Sequence, residues 1–207
     1  MTKGILYVVS GPSGVGKSSI IKEAMKRLKG FTFSISYTTR KPRPGEVNGK
    51  DYFFVDEKTF DEMVKNNEFL EYAEVHGHKY GTSKSFIKEK INEGFSIVLD
   101  IDVQGALNVV KQMRKETVLI FIAPPSYSEL KKRLLNRGTE KMEDLKRRLE
   151  DAKWELSKIN EFDYLIVNED LNESINQLIS IFIAEQIKTE RVTEHLGNYS
   201  FFKFEEE

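Results

Sequence analysis

Residues 10–19 read SGPSGVGKSS, and their types and spacing suit one task, holding a chain of phosphates. Gly11, Pro12, Ser13, Gly14, Val15, Gly16, Lys17 and Ser18 match G-x-x-x-x-G-K-[ST] at every fixed position, and Ser19 follows directly. Glycines let such a loop fold back so that backbone N–H groups point inward at phosphate oxygens, and the helix that follows adds its positive end. Lys17 is then placed to neutralise β- and γ-phosphates, and Ser18 to offer its hydroxyl to Mg²⁺. The implied donor is a nucleoside triphosphate. By itself the loop suits a GTPase, an ATPase motor or a small-molecule kinase equally.

Two further groups of residues bear on what receives the phosphate. In SYTTRKPRPGEVNGKDYFF the hydroxyls of Ser36, Thr38 and Thr39 precede Arg40 and Arg43, and Tyr52 follows. Guanidinium forks flanked by hydroxyls form a recognition set for a second phosphate that is not transferred, although such a run taken alone also reads as a solvated basic turn. In VLDIDVQG, Asp100 and Asp102 alternate along a strand end, so both carboxylates are expected on one side of the C-terminal edge where open α/β sheets bind ligands. The first suits Mg²⁺ through water and leaves the second free. Glu71 and Asp102 together can accept hydrogen bonds from N1–H and the 2-amino group of guanine, whereas adenine would leave them unpaired. Glu71 alone reads as a surface charge or a helix cap.

The elements that must position these residues follow from apolar runs at 5–9, 95–101, 118–123 and 164–168, each followed by a helical pattern. That alternation predicts an α/β fold with a parallel sheet and crossover helices. The stretch from about 31 to 94 breaks the rhythm with short β-rich pieces and a turn-rich run, and is expected to be an inserted lobe. After two prolines, Ser126 and Glu129 form a capping-box spacing that predicts a helix. Leu130, Leu134 and Leu135 lie on its apolar face, with Arg133 and Arg137 a turn apart on another. A longer helix is expected around 143–159, where Trp154 reads as packing, and the polar segment between the two reads as a mobile lid.

The chain has 207 residues, enough for one domain with a sizeable core, and a formal net charge of −1, so no global field draws in nucleic acid or an anionic membrane. With no cysteine, disulfide frameworks, thiol catalysis and cysteine zinc sites are excluded. The N-terminal residues and the lack of any long apolar run point to a cytoplasmic protein with no membrane partner.

Taken together, GPSGVGKS, SYTTRKPRPGEVNGKDYFF, FLEYAEVHGHKYGT, VLDIDVQGA, FIAPPS, RLLNRGTE and VNEDL resemble the guanylate kinase family, in order from about Gly4 to Ile187. The resemblance implies ATP + GMP giving ADP + GDP, with Mg²⁺, on a P-loop nucleotide kinase of three parts. These are a parallel-sheet core at about 1–30, 95–125 and 160–190, a mixed α/β GMP-binding lobe at about 31–94, and a helical lid at about 126–159. It further implies that Ser36, Glu71 and Asp102 read guanine, that Arg40, Arg43, Tyr52 and Tyr80 hold the GMP phosphate, and that Thr82 lies near the nucleotide. Arg133, Arg137 and Arg148 would be the lid arginines that reach the triphosphate and the transferring phosphoryl group, and Asn168 would fall in the adenine site.

Some features stand apart from the family pattern. Ser19 replaces a common threonine outside the required motif. His76 and His78 stand where relatives carry other polar residues, and a solvated loop is expected rather than a metal site. His195 is isolated in a tail, about 188–207, whose Phe201, Phe202 and Phe204 leave docking, fraying and homo-oligomerisation open. Two other readings compete. Guanylate-kinase-like interaction modules bind partner peptides without catalysis, whereas this chain keeps Lys17, Ser18 and the lid arginines. Kinases of AMP, CMP, UMP or dTMP share the loop and lid but have no need of Glu71 and Asp102.

Overall fold

The computed structural model describes residues 3–75, 77–135 and 142–192. Its nine strands among the described residues are β1 (Leu6–Ser10), β2 (Phe31–Phe33), β3 (Tyr37–Thr38), β4 (Phe53–Phe54), β5 (Phe69–Val75), β6 (His78–Ser83), β7 (Ser96–Asp100), β8 (Thr117–Ala123) and β9 (Tyr164–Val167). The helices are α1 (Lys17–Lys26), α2 (Glu57–Lys65), α3 (Lys84–Asn92), α4 (Val103–Met113), α5 (Tyr127–Leu135), α6 (Met142–Leu156), α7 (Leu171–Gln186) and α8 (Thr189–Val192).

Five strands form an all-parallel sheet in the order β2-β7-β1-β8-β9. Every residue of β1 and β8 is buried, as expected of strands covered on both faces. Alternate side chains of β1 enter two different cores. Ile5, Tyr7 and Val9 pack with Ile20, Ile21, Leu178 and Phe182 of α1 and α7, while Leu6 and Val8 pack with Ile87, Ile91, Ala106 and Val109 of α3 and α4. The Tyr7 hydroxyl donates to the Phe182 carbonyl at 2.9 Å, which satisfies the one polar atom that this central side chain brings into the core.

A second, mixed sheet has the order β4-β3-β6-β5, with β3 parallel to β4 and antiparallel to β6. Aromatic rings supply its small core, Tyr37 stacked on Phe53 at 4.7 Å and Phe60 against Phe69 at 4.6 Å. This sheet is shorter in sequence than the expected 31–94. Phe31–Phe33 belong to the parallel sheet through their pairing with β7, and α3 joins it because the large core buries Ile87 and Ile91.

α5 begins as the Ser126 spacing implies, with the Glu129 N–H donating to Ser126 Oγ at 3.1 Å. The reciprocal half of the box is missing, because the Glu129 carboxylate accepts instead from Arg133 Nε at 3.1 Å. Leu130 and Leu134 are buried together with Val15, Leu145 and Ala152, which seats α5 and α6 against the phosphate loop. Leu135, expected on that face, is 49% exposed, because one residue beyond Leu134 turns it about 100° around the helix. Trp154 is also largely exposed, with Lys158 Nζ 5.9 Å from its ring centre. His195 and the tail phenylalanines lie outside the described residues, as do Arg137 and His76. No helix among the described residues is long and apolar enough to cross a membrane.

Candidate active site

The phosphate loop leaves β1 and enters α1 through Gly11, Gly14 and Gly16, whose φ values of 137°, 89° and 95° fall in the region that side chains disfavour. At Gly11 a Cβ would also lie 2.1 Å from the Ile122 carbonyl oxygen, so the loop is held close to β8. α1 has no side-chain cap at Gly16 and no acidic residue in its first turn, which leaves its orphan N–H groups open to an anion. Lys17 Nζ donates to the carbonyls of Gly11 at 2.5 Å and Pro12 at 3.4 Å, so the ammonium lies across the loop mouth. That mouth opens on a cavity of about 200 Å³ bounded by Ser13, Lys17, Ser18, Ser19 and Asp100.

Ser18 Oγ donates to Asp100 Oδ2 at 2.7 Å. A hydroxyl and an exposed carboxylate side by side next to a phosphate cradle fit Mg²⁺, which takes few protein oxygens and fills its octahedron with water and phosphate.

Asn168 is buried at the end of β9 beneath the loop. Its Nδ2 donates to the Val15 carbonyl at 2.6 Å, and its Oδ1 accepts from Ser174 Oγ at 3.1 Å. Arg133 Nη2 donates to the Asn168 backbone carbonyl at 3.1 Å, and Arg148 Nη1 to Ser13 Oγ at 3.4 Å. These contacts tie α5, α6 and β9 to the loop.

The second sheet brings the base-reading candidates together. β6 turns Tyr80 and Thr82 to one face, and Thr82 Oγ1 donates to Glu71 Oε1 at 2.6 Å across to β5. Asp102 does not sit on a strand, although its alternation with Asp100 predicts one. β7 ends at Asp100, and Asp102 is the N-cap of α4, its Oδ1 accepting from the Gly105 N–H at 2.7 Å. A two-residue alternation is matched equally by a strand end and a cap, and here the unsatisfied donors of α4 decide between them. The two carboxylates still meet: Glu71 Oε2 and Asp102 Oδ1 each lie 3.4 Å from the point where a Gly105 Cβ would stand. Burial pushes the Glu71 carboxyl above its ordinary value, the Thr82 hydrogen bond lowers it and the Asp102 charge raises it.

Arg40, Arg43 and Thr39 border a cavity of about 490 Å³, with Glu57 and His78 on its rim. The Arg40 guanidinium lies 5.4 Å from the Tyr52 ring centre and 5.7 Å from that of Phe54, and Tyr52 meets Tyr80 edge-on at 6.0 Å. Ser36 enters the same sheet beside β3, its carbonyl accepting from the Phe53 N–H at 2.9 Å.

Two residues that sequence reasoning missed stand among these groups. Glu46 bridges Arg40 and the Arg43 backbone. Glu155 lies on α6 seven residues, or two turns, beyond Arg148. Its carboxyl is pushed up to about 7, chiefly by burial, with Lys17 lowering it and Asp102 and Asp151 raising it. The sequence carried a trace of each: one acid within a basic turn, and one on the same helical stripe as Arg148.

A wider cavity, about 610 Å³, opens at the opposite end of the sheet, bordered by Lys3, Arg114, Thr117, Asp163 and Glu185. Its carboxylates, Asp163 and the buried Glu185, are engaged in holding elements together. Asp163 accepts from Arg114 and from the Leu119 N–H, and Glu185 from Tyr164, Lys188 and Arg191.

Comparison with known proteins places the chain in a family. The family model for guanylate kinase matches residues 3–185. The guanylate kinase of Thermotoga maritima is 53% identical over 203 residues, covering 98% of this chain and 96% of its own, and one from Thermus thermophilus is 46% identical over 194 residues, covering 94% and 87%. The crystal structure of guanylate kinase from Anaplasma phagocytophilum superposes with a TM-score of 0.74 at 36% identity, covering 97% of this chain and 96% of that one. A phosphate loop, a carboxylate pair and an arginine turn on this α/β frame, with relatives matching nearly end to end, make the chain a member of the guanylate kinase family.

Proposed function

We propose the following assignment of roles within the reaction of this family, the ATP-dependent phosphorylation of GMP to GDP. The loop from Gly11 to Ser19 holds the ATP phosphates, and Lys17 moves from the Gly11 and Pro12 carbonyls onto the β- and γ-phosphates. Arg133, Arg137 and Arg148 bring positive charge from the lid side. Asn168 keeps the loop in shape from below and borders the adenine. Ser18 and, through water, Asp100 would hold Mg²⁺, which when bound neutralises the β- and γ-phosphate oxygens.

Ser36, Glu71 and Asp102 read guanine, with Thr82 fixing the Glu71 carboxylate, while Arg40, Arg43, Tyr52 and Tyr80 hold the GMP phosphate. An anionic oxygen of that phosphate attacks the γ-phosphorus in line, a new P–O bond forms as the bond to the β–γ bridging oxygen breaks, and ADP leaves. No covalent enzyme intermediate is required. Catalysis is positioning plus charge stabilisation, with the lobes excluding water that would otherwise hydrolyse ATP. With ATP and GMP as its substrates, the protein works in the cytoplasm.

The observation that carries the acceptor assignment is the meeting of Glu71 and Asp102 around Gly105, from different elements. Glu71→Gln replaces an acceptor with a group that presents N–H to guanine donors. It should raise KM for GMP about a hundredfold and leave KM for ATP unchanged. Steady-state kinetics with each substrate varied checks this, and equal losses for both would remove Glu71 from the base site.

A further inference from the structure

Glu46 poses an electrostatic puzzle. A site built to hold a phosphate dianion gains from every positive charge, yet this carboxylate sits within it, with its side chain only 21% exposed. Its hydrogen bonds resolve the puzzle. Oε1 accepts from Arg40 Nη2 at 2.8 Å, and Oε2 accepts from the Arg43 backbone N–H at 2.7 Å. The Glu46 N–H returns a bond to the Arg43 carbonyl at 3.0 Å, so the turn from Arg43 to Glu46 is closed on itself.

The rest of the Arg40 fork is held just as tightly. Nη1 donates to the Lys41 carbonyl at 2.8 Å, and the guanidinium stands over the Tyr52 and Phe54 rings. These bonds from both terminal nitrogens fix the plane of the fork, and a guanidinium has further N–H groups to offer a ligand. The Arg43 guanidinium, on an exposed residue, has no hydrogen-bond or ion-pair partner among the described residues, and its chain is anchored through the backbone N–H that Glu46 holds. One carboxylate therefore holds the Arg40 guanidinium directly and fixes the backbone of the turn that carries Arg43.

We propose that Glu46 is a positioning residue of the acceptor site, holding the Arg40 fork and the backbone of the Arg43 turn in place for the phosphate of GMP before it binds. The proposal rests on the reading of Arg40 and Arg43 as the phosphate-holding pair. Preorganisation of this kind lowers the ordering cost that binding must meet, and that gain outweighs the repulsion of one carboxylate that is already paired.

The test compares Glu46→Ala, Glu46→Gln and Arg43→Ala with the parent enzyme, measuring KM for GMP and for ATP together with the binding of guanosine, which lacks the phosphate. Glu46→Ala should raise KM for GMP about tenfold or more. Glu46→Gln keeps one acceptor of the two and should fall between Glu46→Ala and the parent. In both variants KM for ATP and guanosine affinity should stay within about twofold of the parent. Weakening of ATP and guanosine alongside GMP would make Glu46 a general staple of the fold and overturn the proposal. A fall in KM for GMP would show that charge repulsion dominates, and would also overturn it. If Arg43→Ala raises KM for GMP while the Glu46 variants do not, the arginine reading stands and the Glu46 proposal fails. If Arg43→Ala has no effect, the arginine reading fails and takes the proposal with it.

Discussion

Lys17 shows how a single side chain is prepared for a ligand. Its ammonium rests on two carbonyls of the loop, weak partners that a polyphosphate displaces without disturbing the fold. Lys17→Met should therefore lower kcat about 10²- to 10³-fold with little change in melting temperature, measured by steady-state assay and thermal unfolding. Glu155 is the opposite case, a charge whose surroundings disfavour it. With its carboxyl raised from 4.5 to about 7, the folded protein binds more protons than the unfolded chain between those values, so this group removes stability as pH rises across the window. Glu155→Gln should stabilise the ligand-free protein by about 1–2 kcal/mol at pH 8, after allowance for solvent screening, and by much less at pH 5. Urea unfolding at the two pH values measures the difference, and equal effects at both would contradict the account. The two residues differ equally in how legible they are. Lys17 is found from its motif, whereas Glu155 meets Lys17 and Asp102 only through tertiary packing that no local pattern records.

At the scale of elements, β6 carries two residues of the proposed acceptor site, Tyr80 and Thr82, by alternation alone. Tyr80 and Thr82 face the site, and Gly81 faces the aromatic core, where an added Cβ would stand 2.9 Å from the Phe69 ring. Phe69 has little room to move, since Phe60 lies against it at 4.6 Å. Gly81→Ala should cost about 1–3 kcal/mol by overpacking and should weaken GMP use more than ATP use, read from thermal melts and the two KM values. The parallel strands were legible because burial on both faces leaves continuous apolar runs, which β1 and β8 display in full. The division between core and lobe was harder to read. Phe31–Phe33 has the composition of a strand in either sheet, and only its pairing with β7 settles which one. Asp102 caps α4 where the alternation predicts a strand, because the signal for a cap and the signal for a strand end coincide over two residues.

In the whole molecule, a net charge of −1 conceals a sharp separation of local fields. Cations line the phosphate loop and the Arg40–Arg43 turn, and two carboxylates, Glu71 and Asp102, meet between α4 and the second sheet. α5 and α6 are anchored to the loop through Leu130, Leu134, Arg133 and Arg148, so the position of these helices and the shape of the phosphate loop are coupled through shared contacts. The central claim is that this arrangement joins a triphosphate donor to an acceptor chosen by its guanine base. The most direct measurement is ADP release by the purified protein with ATP and Mg²⁺, with GMP, dGMP, AMP, CMP and UMP presented in turn. Turnover confined to the guanine nucleotides is the predicted result. Comparable turnover with AMP, CMP or UMP would contradict the reading of Glu71 and Asp102 as the groups that select the acceptor.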